Sequence, residues 1–278
     1  MAVQTIAIGA ELGDATYAMP AIKALGGAHI VCPDRPWNRE SWSRRCLGLK
    51  RLAEAQDYIH SWNPHTDQKI DVDLTGYRAA GTRHGELIPL RIARWARVKV
   101  DITQPWLAVD PDPRTKGRII INRAPRWVGS GSMPYAKIVK QFQKELLFAG
   151  TDDEYTTFCA SYGPVERFIC QDLMDVARAI KGSELLISAQ SSPYALCEGL
   201  KHPAVLEICL TSPDVCFHRP DVTHYISGIL KFSACGKDFE EEGEPVKIDR
   251  TNPPPGGYRV TIGTKTLQDW DFLRLEQM

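Results

Sequence analysis

One segment of this 278-residue chain combines a buried strand, a small polar turn and a helix in immediate succession. The apolar run 185–187 predicts the strand, the turn follows at 188–194 (Ser-Ala-Gln-Ser-Ser-Pro-Tyr), and residues 195–203 continue as the helix. A small polar turn at the start of a helix leaves backbone N–H groups free, and the helix dipole adds positive potential there. Such a place suits a phosphate or diphosphate group, so the segment predicts an anion site in an α/β chain.

Length and composition are those of a soluble globular protein with room for about two domains. No apolar run approaches the roughly 20 residues that a membrane span requires, and the N-terminal residues lack the pattern of a signal peptide. Eight cysteines without a Cys-x-x-Cys pair predict free thiols and a cytoplasmic location. The seven histidines are dispersed, which predicts that the protein holds no metal.

In each half of the chain, apolar runs typical of strands alternate with segments of helical spacing. In the first half the pattern predicts strands at 5–8, 29–32, 70–74 and 98–101, and helices at 14–25 and 87–96. Prolines 111 and 113 predict a linker. After it the pattern predicts strands at 118–122, 146–149, 166–169, 185–187 and 205–207, and helices at 135–143, 153–161, 173–180 and 193–200.

This alternation predicts an α/β fold with parallel sheets. We expect an N-terminal domain over residues 1–110, a second domain over 111–235, and a less regular tail over 236–278. In open parallel sheets ligands bind beyond the carboxyl ends of the strands. The turns at 9–14 and 188–193 both follow predicted strands, so a ligand in a cleft between the two halves is expected.

Asp14 follows the first predicted strand, and two interpretations of it stay open. It could cap the helix that begins at Ala15, as aspartate commonly does. It could instead be a general base, since a carboxylate within reach of a hydroxyl group can accept its proton. Glu198, in the helix after the anion turn, is predicted at a solvated position; the alternative is contact with a sugar hydroxyl or a basic residue.

Residues 9–15 (Gly-Ala-Glu-Leu-Gly-Asp-Ala) and 20–25 (Pro-Ala-Ile-Lys-Ala-Leu) resemble the opening of the heptosyltransferase-like glycosyltransferases of family nine. The second half is similar to that family at 148–154, 173–180 and 188–203, so the resemblance covers most of residues 5–208. It implies the GT-B architecture, in which two Rossmann-like domains face a cleft. It also implies an inverting, metal-independent transfer of a sugar from a nucleoside-diphosphate sugar, with no further cofactor.

The resemblance assigns roles to individual residues. It makes Asp14 the base that deprotonates the acceptor hydroxyl, and Gly13 the place where a substrate approaches the backbone. Ser191 and Ser192 would hold the donor diphosphate. Gln190 stands where the family usually has an aspartate near the donor sugar, so the identity of that sugar stays open.

Further donor contacts are expected from two loops. Thr151 and Glu154 lie in the segment similar to the family, where an acid binds the donor ribose; the alternative for Glu154 is an exposed acid in the first turn of a helix. Arg123 and Arg126 follow the first strand of the second half and could neutralise the leaving diphosphate, because arginine binds phosphate oxygens in bidentate fashion. The alternative for these two residues is a surface loop.

The acceptor is predicted from a basic and aromatic stretch at residues 35–51. Because lysine and arginine bind phosphate backbones and tryptophans can stack on bases, the leading hypothesis is a 5-hydroxymethylated pyrimidine in DNA, as in phage DNA-modifying glycosyltransferases. The alternatives are transfer to lipopolysaccharide or another saccharide, an epimerase of the same architecture, and a sugar-nucleotide-binding protein without catalysis. Besides Gly13, the predicted acceptor-binding residues are Arg39, Arg44, Arg45 and Arg78. The sequence leaves the nucleotide base and the oligomeric state open.

Overall fold

The computed structural model describes most of the chain, over residues 3–9, 11–34, 42–81, 83, 86–124, 133–209, 213–226, 228–243, and the two short strands Arg259–Val260 and Leu267–Gln268. At residues 42–44 and in these two short strands it describes the backbone only. The chain divides into two compact units. Unit 1 comprises residues 1–116, 169–183 and 192–202, and unit 2 comprises residues 117–168, 184–191 and 203–278.

The described residues form helices that match most of the helical spacings in the sequence. They are α1 (Leu12–Ala24), α2 (Trp42–Glu54), α3 (Ile88–Trp95), α4 (Tyr135–Phe142), α5 (Asp152–Tyr162), α6 (Leu173–Gly182) and α7 (Ser192–Leu200). Helix α2 was not predicted, because its arginines and lysines conceal the apolar positions Cys46, Leu49 and Leu52, which are buried.

Unit 1 contains a four-stranded parallel sheet in the order β3-β2-β1-β4. Its strands are β1 (Gln4–Ala7), β2 (Ala28–Cys32), β3 (Ile59–Pro64) and β4 (Val72–Asp73). Strand β1 pairs in parallel with both β2 and β4, so the carboxyl ends of these three strands lie at one edge of the sheet. The loop that follows β1 leads into α1 at that edge.

Helices α1 and α7 are apolar on nearly every side. Residues 15–22 of α1 and 193–200 of α7 are all buried, which is typical of helices enclosed by protein. Within unit 1, α1 packs against α3 and α7, and α2 packs against α6. Unit 1 is therefore built from segments far apart in the sequence.

The proline-containing stretch that was predicted as a linker is anchored in unit 1. Its short 3-10 turn, Pro113–Thr115, follows Asp112, whose backbone N–H donates to the Arg178 carbonyl of α6 at 2.9 Å. At the end of α6, a Cβ on Gly182 would lie 2.3 Å from the Asp112 carbonyl oxygen and 2.4 Å from Thr115 Oγ1. This stretch of backbone thus lies directly against α6, and the contact requires glycine.

Unit 2 contains a six-stranded parallel sheet in the order β10-β9-β8-β5-β6-β7. The strands are β5 (Ile119–Asn122), β6 (Leu146–Phe148), β7 (Glu166–Arg167), β8 (Leu185–Ala189), β9 (Ala204–Glu207) and β10 (Val222–Tyr225). The central strands are runs of buried apolar residues, as expected for a parallel sheet. Aromatic residues such as Phe142, Phe148 and Phe158 form much of the core beside them.

One sequence prediction about a strand is wrong. Residues 98–101 are not a strand, because Arg97, two residues after the end of α3, has a φ of 58° and the Val98 N–H donates back to the Ala93 carbonyl. In the segment expected to be a less regular tail, β12 (Lys237–Glu242) pairs with β11 (Ile229–Ala234) in an antiparallel hairpin. Its inward side chains include Leu230 and Phe239, which are buried in the core of unit 2.

We predict that Gly182→Ala lowers the free energy of unfolding by about 1–3 kcal/mol, because the added methyl group meets the backbone of Asp112. The matched control is Gly48→Ala within α2, where a Cβ meets no atom within 4 Å. That change should leave stability unchanged or raise it by up to about 1 kcal/mol. Urea denaturation measures both, and equal stabilities for the two variants would contradict the close packing at Gly182.

Candidate functional site

Asp14 lies in the first turn of α1 and does not cap it. The helix begins at Leu12 after Glu11, and the Glu11 side chain makes no cap hydrogen bond. The prediction that Asp14 caps a helix starting at Ala15 is therefore wrong. The first turn comes immediately after the loop that leaves the carboxyl edge of the unit 1 sheet, so Asp14 lies where ligands of such sheets bind.

Two side chains from one turn hold the Asp14 carboxylate. Tyr77 Oη and Arg78 Nη2 both donate to Asp14 Oδ2, each at 2.6 Å. They belong to a 3-10 turn that follows β4, and because β4 pairs in parallel with β1, this turn and α1 meet at the same edge. The structure thus brings together two predicted residues, Asp14 and Arg78. Tyr77 was not predicted as a site residue, although its place shortly after the end of a strand could have indicated it.

The surroundings of Asp14 are accessible. The Asp14 side chain is 17% exposed and that of Arg78 is 59% exposed, so a ligand can approach this pair. A Cβ on Gly13 would meet no atom within 4 Å, so the backbone beside Asp14 is open at the position where the sequence predicts a close substrate approach. The role of Gly13 stays a prediction.

Arg45 was predicted to bind the acceptor, but its surroundings do not suit that role. Its side chain is 7% exposed, and Nη1 donates to Glu11 Oε1 at 2.9 Å. This pair fits a part in positioning the loop before α1 better than contact with an acceptor. Arg39 and Arg126 lie outside the described residues, as does the Arg44 side chain.

A second group of polar side chains lies at the carboxyl edge of the unit 2 sheet. Asn122 ends β5 and is buried; its Nδ2 donates to the Ala149 carbonyl at 2.8 Å. Its Oδ1 accepts from Ser191 Oγ at 2.8 Å. Asn122 therefore fastens the turn after β8 to the turn after β6. Asn122 was not predicted as a site residue from the sequence, because only the order of the neighbouring strands gives it these partners.

Thr151 and Glu154 form a capping box at the start of α5. Thr151 Oγ1 accepts from the Glu154 backbone N–H at 3.3 Å, and Glu154 Oε2 accepts from the Thr151 backbone N–H at 3.0 Å. A Cβ on the preceding Gly150 would lie 2.8 Å from Glu154 Oε2 and 3.0 Å from Asn122 Nδ2. The capping box accounts for both residues structurally, and their contact with a donor ribose stays a prediction.

Gln190 is buried at the end of β8. Its Oε1 accepts from the Cys209 backbone N–H at 2.8 Å, and its Nε2 donates to Cys216 Sγ at 3.2 Å. These contacts connect the end of β8 to the chain that follows β9. Ser192 is the first residue of α7. The donor contacts of Gln190, Ser191 and Ser192 stay predictions.

Arg123 lies directly after β5 and is paired with the buried Glu207 at the end of β9. Nε of Arg123 is 3.1 Å from Glu207 Oε2, and Tyr135 Oη donates to the same oxygen at 2.8 Å. Burial, together with the negative charge of Glu207, raises the pKa of the Tyr135 hydroxyl well above its usual value, so this group donates as a neutral phenol. Glu207 and Tyr135 were not predicted as site residues from the sequence.

The prediction that Glu198 is solvated is wrong. Glu198 is fully buried in unit 1, where Oε1 accepts from Tyr194 Oη at 2.9 Å. Lys201 Nζ lies 3.4 Å from Glu198 Oε2 and 4.4 Å from the centre of the Trp106 ring. A charged partner and hydrogen bonds make such burial tolerable.

Two absences hold for the described part of the chain. No helix there is long and apolar enough to cross a bilayer. In the same ranges, no group of three or more His, Cys, Asp or Glu side chains is arranged to hold a metal ion.

Three solved structures share the fold of the chain. The E. coli heptosyltransferase WaaC with ADP-2-deoxy-2-fluoro heptose has a TM-score of 0.54 and 10% identity, covering 80% of this chain and 93% of WaaC. The structure of WaaC with ADP has a TM-score of 0.54 and 10% identity, covering 80% of this chain and 92% of WaaC. The family 9 glycosyl transferase from Veillonella parvula DSM 2008 has a TM-score of 0.56 and 13% identity, covering 81% of this chain and 88% of that protein.

No protein-family model and no curated protein matches the sequence. The structural likeness confirms the predicted fold class, an α/β protein with parallel sheets like those of GT-B glycosyltransferases.

We predict that Thr151→Ala lowers the free energy of unfolding by about 1 kcal/mol, because one orphan N–H of α5 loses its acceptor. Thr156→Ala, at an exposed position inside the same helix, is the control and should change stability by less than about 0.5 kcal/mol. Thermal denaturation compares the two variants. Equal melting temperatures would contradict the importance of the capping box.

Proposed function

We propose that the chain is a glycosyltransferase of the heptosyltransferase type, which moves a sugar from a nucleoside-diphosphate sugar to a hydroxyl group of a saccharide. The observation that carries this proposal is the fold shared with WaaC and with the Veillonella family 9 glycosyl transferase, over 80% and 81% of the chain. WaaC is bound to ADP or to an ADP-heptose analogue in these structures, so ADP-heptose is the first donor to test.

Asp14 is the proposed general base. Its carboxylate takes the proton of the acceptor hydroxyl while that oxygen attacks the anomeric carbon of the donor. The bond from this carbon to the diphosphate breaks, and the nucleoside diphosphate leaves with the bonding electrons. Tyr77 and Arg78 support this role, because they hold Oδ2 in a fixed orientation. Attack opposite the leaving group inverts the anomeric centre, as the sequence resemblance implies.

The donor is proposed to bind at the carboxyl edge of the unit 2 sheet. The parallel order of β6, β5, β8 and β9 supports this location, because ligands of open parallel sheets bind beyond their carboxyl ends. Ser191, which Asn122 holds in the turn after β8, lies at this edge and supports contact with the diphosphate. Arg123 is proposed to interact with the leaving diphosphate, whose developing negative charge a guanidinium stabilises.

A saccharide acceptor is better supported than hydroxymethylated DNA. The structures that share the fold include a named heptosyltransferase, which favours a saccharide. In the stretch on which the DNA hypothesis depends, the basic side chains that the structure describes are Arg45, Lys50 and Arg51. Each is paired with an acid of unit 1, namely Glu11, Glu54 and Asp172, and Arg45 is nearly buried. Arg78, which is exposed beside Asp14, remains a cation suited to a negatively charged group on the acceptor.

We predict that Asp14→Asn lowers the transfer rate by about 100- to 10,000-fold, because the amide cannot accept the hydroxyl proton. Its affinity for the nucleoside diphosphate should stay within about twofold of wild type, a change below 0.5 kcal/mol. Asp153→Asn, an exposed acid in the first turn of α5, is the matched control and should keep full activity. Turnover and equilibrium binding are measured on the same preparations. Full transfer by the Asp14 variant would contradict its role as the base.

The donor and acceptor classes can be separated by one screen. We expect product from a nucleoside-diphosphate sugar, ADP-heptose first, with a phosphorylated saccharide acceptor, and none with DNA that contains 5-hydroxymethylcytosine. Mass spectrometry of saccharides and of digested nucleosides detects both products. Glycosylated nucleoside without glycosylated saccharide would overturn the acceptor proposal and restore the DNA hypothesis.

A further inference from the structure

Glu207 is a buried carboxylate for which the proposed reaction as described above has no use. It ends β9, its side chain is 1% exposed, and its backbone pairs with Ala189 at the end of β8 and Tyr225 at the end of β10. Placing a carboxylate in the interior carries a large desolvation penalty, and a hydrophobic residue of similar size often serves stability as well. The position of this charge at the ligand-binding edge of the sheet therefore calls for an explanation.

Glu207 holds the Arg123 guanidinium by one of its edges. Oε2 lies 3.1 Å from Arg123 Nε and Oε1 lies 3.4 Å from Nη2, so both carboxylate oxygens face the same side of the arginine. Tyr135 Oη donates to Oε2 at 2.8 Å and fixes the carboxylate in turn. This arrangement leaves Nη1 of Arg123 outside the paired edge.

Two aromatic rings fix the plane of the same guanidinium. Its central carbon lies 5.2 Å from the centre of the Tyr135 ring and 5.4 Å from that of Tyr162. Rings at this distance attract a guanidinium through its charge and restrict its rotation. Arg123 nevertheless keeps 19% of its side chain exposed, so a part of it remains accessible to a ligand.

We propose that Glu207 is a positioning residue for the donor diphosphate: it clamps Arg123, one residue after Asn122, so that Nη1, on the side of the guanidinium away from Glu207, is held ready for a phosphate oxygen. This inference rests on the proposed function. The clamp lowers the entropy that Arg123 loses when it binds a ligand, because its side chain is ordered beforehand. If Glu207 only stabilised the fold, its substitution would not weaken binding of the diphosphate more than binding of the nucleoside.

The test compares a nucleoside diphosphate with its own nucleoside. Wild-type protein is titrated with ADP, UDP, GDP and CDP, and the tightest binder is used with the corresponding nucleoside. We expect Glu207→Gln to weaken binding of the diphosphate by about tenfold, the effect of one charge-assisted hydrogen bond. Affinity for the nucleoside should stay unchanged. Arg123→Lys should give the same selective loss, because lysine cannot make the two-point contact. When Glu207→Gln is added to Arg123→Gln, diphosphate affinity should fall no further, because Glu207 acts through Arg123.

The matched control is Glu166→Gln. Glu166 also pairs with an arginine of unit 2, Arg118, at 2.6 Å, but this pair lies at the amino ends of β7 and β5. Its loss should leave diphosphate affinity at the wild-type value. Thermal denaturation of every variant reports whether it is folded, and Arg123→Lys keeps the test valid if Glu207→Gln does not fold.

The outcomes separate the clamp from the proposed function. Unchanged diphosphate affinity in folded Glu207→Gln, or in Arg123→Lys when the first variant does not fold, overturns the clamp alone. An equal loss for diphosphate and nucleoside also overturns it, because Glu207 would then act on the fold as a whole. Wild-type protein that binds none of the four diphosphates overturns both the clamp and the proposed donor.

Discussion

Parallel pairing between strands is the constraint on which both candidate sites depend. When strands run the same way, their carboxyl ends meet at one edge, and residues far apart in the sequence become neighbours. In unit 1 this brings the turn after β4, with Tyr77 and Arg78, to Asp14 after β1. In unit 2 it brings Glu207 to Arg123. Each site is thus a consequence of strand order.

Polar groups at these edges are satisfied mainly by one another. Asn122 uses its amide nitrogen on a backbone carbonyl and its oxygen on Ser191, so one buried side chain joins three strand ends. Glu207 has a cation and a phenol as partners, and Glu198 has the same two kinds of partner in unit 1. A buried carboxylate is tolerated only with such partners. Networks of this kind hold side chains in one geometry, which suits groups that must meet a substrate in a defined orientation.

The sequence predicted most of the sheet and helix elements because their apolar spacing is strong. The runs 119–121 and 185–187 read plainly as buried strands, and α5, α6 and α7 were located to within a few residues. Helix α2 was missed because charged residues dominate it. The stretch 98–101 was mistaken for a strand, since the left-handed backbone of Arg97 turns the chain back onto α3 in a way that residue types do not indicate.

Roles were harder to predict than elements. Glu198 looked like an ordinary helix surface acid, and only the packing of α7 within unit 1 showed that it is buried. Thr151 and Glu154 looked like ligand-binding residues, and their spacing of three residues also suits the capping box that they form. Local patterns contain no information on which of two such uses the tertiary environment supports.

The sequence by itself determined the α/β class, the parallel strands and the positions of the two turns that follow β1 and β8, because these depend on periodicity and on local turn chemistry. The tertiary structure alone decided that Tyr77 and Arg78 hold Asp14, that Glu207 and Tyr135 hold Arg123, and that α6 and α7 pack in unit 1. The physical reason is that such pairings depend on strand order and helix packing, which join residues at long sequence separation and leave no local periodic signal.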